Sequence, residues 1–243
     1  MKKLLASLLM TGFAHAGVFV MIESPHVTQL VQDNKKLIAH EVAEFNAQVP
    51  GNKQQLAFEP DKWDAHITLD FIDQDAVMKA QDAEKKYHKL EQNLRLIAKK
   101  SSPINITQNI EESRIAYWPG AAPMMLGGSK KQNYVTVVLK LGDNKHLADL
   151  ADRIARLLEA EYGIKQRFPF SAHLTLGRIY EVNDNPVMPI VPQLTTEPHV
   201  ESIFEKINVH AFKLKGAGGS EIEFPFGPKH MMKRHQKPLE TYQ

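Results

Sequence analysis

The sequence predicts an α+β fold built by internal duplication, with two antiparallel sheets and helices on their outer sides. Three observations carry that prediction. The octet DAHITLDF at residues 64–71 returns as SAHLTLGR at residues 171–178. Each octet closes the same succession of strand, amphipathic helix and motif strand, once over residues 17–72 and once over 134–180. The segments outside these repeats read as a further helix and as hairpins, not as the alternating βαβ units that build a parallel sheet.

Along the chain, the β-rich run VFVMI at 18–22 predicts a strand. Ser24-Pro25 closes it and opens a helix through residue 47, since proline suits a helix's first turn. Residues 63–72 read as the first motif strand. From 74 to 100, Val77, Ala80, Tyr87, Leu90, Leu94 and Ile97 recur at helical spacing in a charged stretch. Residues 104–118 read as one or two strands, PGAAPMMLGGSKKQ at 119–132 as a Gly/Pro loop, and 134–141 as a β-branched strand. A helix over 145–162 places Leu147, Leu150, Ile154, Leu157 and Leu158 on one face. The second motif strand spans about 170–180. A proline-rich connection at 183–198 leads to a short helix near 200–206. Residues 209–226, interrupted by GAGG at 216–219, read as a closing hairpin. The basic, aperiodic residues 229–243 read as a loose tail.

With 243 residues, 43% hydrophobic and 24% charged, the chain can bury a sizeable core, and residues 17–228 are expected to form one domain. A net charge of +2 is too weak for a surface that wraps nucleic acid, which needs clustered Lys and Arg. Cysteine is absent, which excludes disulfides, thiolate nucleophiles and cysteine-ligated metal sites. The start MKKLLASLLMTGFAHA joins a basic end, an apolar stretch and a small-residue Ala14-His15-Ala16 site. It reads as a signal peptide over 1–16, cleaved before Gly17, so an exported protein, periplasmic or secreted, is expected. No later segment approaches a membrane span, no obligate protein partner is evident, and a monomer is expected.

A bare His-x-Ser/Thr match carries little, because 11 histidines in a chain of this length produce about one by chance. His26-Val27-Thr28 is such a match and reads as first-turn helix. Requiring His-x-Thr-Leu lowers the expectation to about 0.04 occurrences, and the chain contains two. Side chains alternate along a strand, so His66 and Thr68 share one face while Ile67 and Leu69 turn to the core; His173 and Thr175 do the same over Leu174 and Leu176. An imidazole takes or gives a proton near neutral pH, and a threonine hydroxyl donates to a phosphoryl oxygen. Two such pairs across a cleft supply a base, an acid and two oxygen-holding donors, sufficient to cleave a phosphodiester without a metal or other cofactor. The alternatives are a pair of hydrogen-bonded core features or a metal site on His66 and His173. Asp64 and Asp70 have no acidic counterparts in the second motif, which weakens the metal reading.

The paired strands, the second extended to HLTLGR, resemble the two-histidine (2H) phosphoesterase superfamily, most closely its LigT-like branch of 2′-5′ RNA ligases and 2′,3′-cyclic phosphodiesterases. The resemblance implies a bilobal fold with pseudo-twofold symmetry and one motif per lobe lining a central groove. It also implies His66 and His173 as the acid/base pair, Thr68 and Thr175 as phosphate-holding groups, and Arg178 as a phosphate or charge-balancing partner. The implied substrate is a nucleotide or oligoribonucleotide end carrying a cyclic phosphate, opened to a 2′-phosphate. An exported nucleotide- or phosphate-binding protein without turnover stays open, as does an esterase on a non-RNA cyclic phosphate or a 2′-5′ linkage. Tyr117, with Trp118, is a candidate for stacking a nucleobase or else an aromatic strand residue. Lys130-Lys131 are candidates for steering a phosphate, and Phe168 and Phe170 for core or base-pocket floor.

Overall fold

The computed structural model describes residues 18–48, 55–72, 83–119, 133–166, 169–183, 185–191, 194, 197–200, 206–216 and 221–227. The signal peptide expected over 1–16, the first turns expected after residue 74, the loop from 120 with its lysine pair, Phe168, most of the helix expected at 200–206 and the tail expected from 229 lie outside these residues.

Two antiparallel sheets organise the chain. The first has the order β10-β9-β1-β3, from Glu221–Pro225, Ala211–Gly216, Val18–Glu23 and His66–Ile72. The second has the order β2-β7-β6-β5, from Leu56–Pro60, His173–Glu181, Tyr134–Lys140 and Arg114–Pro119. A short ladder of β4 (Ile104–Asn105) with β8 (Asn208–Val209) stands apart. The hairpin expected at 209–226 is β9 with β10, and it completes the first sheet. Strand β2 has no counterpart in the sequence reading, because its LAFEP run ends in Glu-Pro and becomes a strand only through its pairing with β7.

The helices are α1 (Thr28–Gln48), α2 (Ala83–Lys99) and α3 (Lys145–Tyr162). Helix α3 has the ends expected of it. Asn144 caps its start by accepting the Leu147 N–H, and Gly163 ends it at a φ of 67°, a left-handed position that costs glycine little. Its buried stripe is Leu147, Leu150, Ala151, Ile154 and Leu158. Helix α1 follows a 3₁₀ turn, Pro25–Val27, which contains the exposed His26. Within Cα–Cα distances of 8 Å, α1 approaches β2 and β7 while α3 approaches β3. Each repeat's helix thus meets the other repeat's motif strand, and one continuous apolar cluster joins both halves.

The duplication extends to the register. In the first sheet Ile22 faces Ile67, Met21 faces Thr68 and Val20 faces Asp70, so Leu69 is bulged out. In the second, Leu139 faces Leu174, Val138 faces Thr175 and Val137 faces Gly177, so Leu176 is bulged out. Leu69 and Leu176 are the same position of the two octets. A bulge puts two residues opposite one and reverses the alternation beyond it.

Candidate active site

His66 and Thr68 are half-buried on β3, with Ile67 and Leu69 each 1% exposed behind them. His173 and Thr175 are half-buried on β7 above the buried Leu174 and Leu176. The alternation expected of both strands is therefore present, and Cα atoms of β3 and β7 approach within 8 Å of one another although the strands belong to different sheets. The segment 61–65 brings them together. It leaves β2 beside Gly177, ties to β7 through the Asp61 N–H donating to the bulged Leu176 carbonyl at 2.9 Å, and enters β3 at His66. Lys35, only 7% exposed on α1, donates through Nζ to the Asp61 carbonyl at 2.7 Å and fixes the same crossing.

Both imidazoles are held alike. His66 Nδ1 lies 2.7 Å from the Asp64 carbonyl, and His173 Nδ1 lies 2.7 Å from the Ser171 carbonyl, the equivalent residue. A carbonyl only accepts, so each Nδ1 carries hydrogen and donates it. In the neutral ring Nε2 is then the nitrogen able to accept a proton. Burial pushes the His173 imidazole below its usual value of 6.5, its bond to Ser171 partly restores it, and the nearby His66 charge lowers it again. The two rings thus act on each other electrostatically.

Each histidine also meets one of the chain's two tryptophans. Trp63 stands 5.7 Å from His66 between ring centroids, and Trp118 stands 4.5 Å from His173, edge to face. Sequence reasoning missed Trp63 as a site residue, and its only signal was a place three residues before a motif histidine. Of the pair Tyr117-Trp118, strand alternation sends Trp118 to the histidine while Tyr117 packs against the core with its hydroxyl buried. Tyr117 is thus placed away from the face where base stacking was expected of it. Phe170 likewise packs against the core.

Arg178 shares the face of Thr175, because its partner Thr136 and the Thr175 partner Val138 are two residues apart. In an unbulged strand residues 175 and 178 would face opposite ways. The Arg178 guanidinium lies 5.3 Å from the Tyr134 ring centroid, a cation–π contact on the face it shares with Thr175. Asp70 is 9% exposed and accepts the Phe71 N–H, and burial raises its carboxyl pKa. Among the described residues no three histidine or acidic groups gather as metal ligands.

The paired antiparallel sheets, with one His-x-Thr strand each, make the chain a duplicated α+β fold. Among solved structures it matches Kluyveromyces marxianus Usb1, alone and with uridine monophosphate, with TM-scores of 0.53 and 0.52 at 14% identity. These alignments cover 87% of this chain and 98% and 99% of Usb1. Escherichia coli LigT complexed with 3′-AMP aligns with 87% of this chain and 95% of its own at 16% identity, with a TM-score of 0.42. No protein-family model matches the sequence, and no curated protein matches it. At these identities the likeness is one of fold.

Proposed function

We propose that the protein is a metal-independent phosphodiesterase that opens a 2′,3′-cyclic phosphate on a nucleoside or an RNA end. The observation that carries this is the equivalence of the two histidines, each with Nδ1 committed to the same backbone carbonyl and Nε2 left to the groove. A structural pair would have no need of matched tautomers on facing strands. The Usb1 structure with uridine monophosphate supports a nucleotide substrate class by analogy.

In this reading His173 is the base, since its lowered pKa keeps it neutral at pH 7. His173 Nε2 takes a proton from water as the water oxygen attacks phosphorus. The P–O3′ bond breaks, and protonated His66 delivers a proton from Nε2 to the departing O3′, leaving a 2′-phosphate. Thr68 and Thr175 donate to the non-bridging oxygens, where charge grows in the transition state, and Arg178 balances that charge.

The test is incubation of purified protein with 2′,3′-cyclic AMP, with and without EDTA. Formation of 2′-AMP at a rate indifferent to EDTA is expected. Saturable binding without product would turn the reading to a binding protein, and chelator-sensitive turnover to a metal enzyme. Export is part of the same proposal. The described part of β1 begins at Val18, after the expected cleavage site, and intact-mass analysis of periplasmic protein should show a chain beginning at Gly17.

A further inference from the structure

The two lobes present unlike groups to the groove at one equivalent position. In the second sheet, Arg178, Thr136 and Trp118 lie side by side across β7, β6 and β5. The equivalent row of the first sheet is Phe71, Phe19 and Lys215. The register that puts Trp118 beside His173 therefore puts a lysine on the His66 side. Cross-strand partners share a face, so Lys215, Lys213 (opposite Met21) and Glu23 (opposite His66) face the same way as His66 and Thr68.

These charges form a partly buried cluster. Glu23 accepts from Lys213 at 2.8 Å and from Lys215 at 2.6 Å, and Lys213 also reaches the exposed Glu221 at 3.3 Å. Burial alone would raise the Glu23 carboxyl, and the two ammonium groups outweigh it and hold it below the usual carboxylate range. Lys213 is thus committed to two carboxylates. Lys215 shares one of them and sets its ammonium 5.9 Å from the centroid of Trp63, the ring that also meets His66. An ammonium has three donors, and that of Lys215 is the less neutralised of the two.

We infer that Lys215, braced by Glu23 and Trp63, is an anion subsite for a second phosphate next to the one held between the histidines. The preferred substrate is then an oligonucleotide end of at least two nucleotides rather than a free cyclic mononucleotide. This deepens the phosphodiesterase reading and rests on it. The groove acquires a direction, with the phosphate chain leaving past Lys215 on the His66 side and the aromatic Trp118 at the other end.

The test compares Lys215→Met, which keeps the aliphatic stem, and Lys215→Arg, which keeps the charge, on two substrates. These are 2′,3′-cyclic AMP and the dinucleotide ApA with a terminal 2′,3′-cyclic phosphate. Lys215→Met should raise KM for the dinucleotide by at least about tenfold at unchanged kcat, as expected for one charge-assisted contact. The mononucleotide should change less than about twofold, and the arginine variant should recover most of the loss. The dependence of log affinity on log salt should flatten by about 0.7 for the dinucleotide alone, the slope of one phosphate contact on a single strand. Equal losses on both substrates, or none on either, would overturn the subsite. If wild-type protein turns over neither, the phosphodiesterase reading fails separately, and tryptophan-fluorescence titration with the same ligands then decides the subsite. Selective weakening of the dinucleotide sustains it, while equal weakening, no weakening or no dinucleotide binding rejects it.

Discussion

His173 and His66 differ in surroundings more than in position. General acid–base catalysis contributes about 10²- to 10⁴-fold per group, so His66→Ala and His173→Ala should each lower kcat/KM for a cyclic nucleotide by at least about 10²-fold. Circular dichroism of each variant should match wild type. The base must be neutral to accept a proton, and burial holds the His173 pKa below 6.5. Activity should therefore persist at pH 6.5 and fall only as pH drops through that lowered value. Trp118, 4.5 Å from the ring, helps exclude water there. Trp118→Ala should hydrate His173, return its pKa toward 6.5 and move the acidic limb of the kcat/KM profile to higher pH. An unmoved limb would take the base role from His173. The strand placement and alternation of the two motifs were legible in the sequence because the octet occurs twice, whereas one His-x-Thr match alone carries little. The tryptophans were not, because ring contact across strands leaves no local signature.

At the scale of the element, the neighbouring strand explains why the two octets end differently. Strand β7 is interior, and β2 runs so close that a Cβ on Gly177 would lie 2.3 Å from the Glu59 carbonyl oxygen. Strand β3 is the edge of its sheet, so the equivalent Asp70 carries a side chain freely. Gly177→Ala should cost about 1–3 kcal/mol by overpacking, measured by urea unfolding, and should loosen the crossing that sets His66. Asn144→Ala should cost about 1 kcal/mol as a lost helix cap, with a further increment because Asn144 Nδ2 also donates to the Asn105 carbonyl at 2.7 Å. Helix α3 was readable over 145–162 because its apolar stripe is local. Strand β2 was not readable, since an edge pairing made from a distance supplies its hydrogen bonds.

For the whole molecule, the continuous apolar cluster and the exchange of helices between motif strands should make the two lobes unfold as one cooperative unit. Trp63 belongs to the first lobe and Trp118 to the second, so Trp63→Phe and Trp118→Phe each leave a fluorophore in one lobe. Urea unfolding followed by fluorescence of either variant should coincide with its far-ultraviolet circular dichroism, and separated midpoints would show lobes that melt independently. The sequence alone determined the duplication, the two His-Thr pairs, the faces of Leu174 and Ile67 and the limits of α3, because each rests on a period of 2 or 3.6 residues within one segment. Only the tertiary structure decided that the two motif strands approach within 8 Å across two sheets, that Arg178 shares the face of Thr175, that Tyr117 packs against the core, and that burial lowers the His173 pKa. Those outcomes depend on the crossing at 61–65, on a bulge one residue wide and on burial by neighbours distant in the chain, and none of these is written in local spacing.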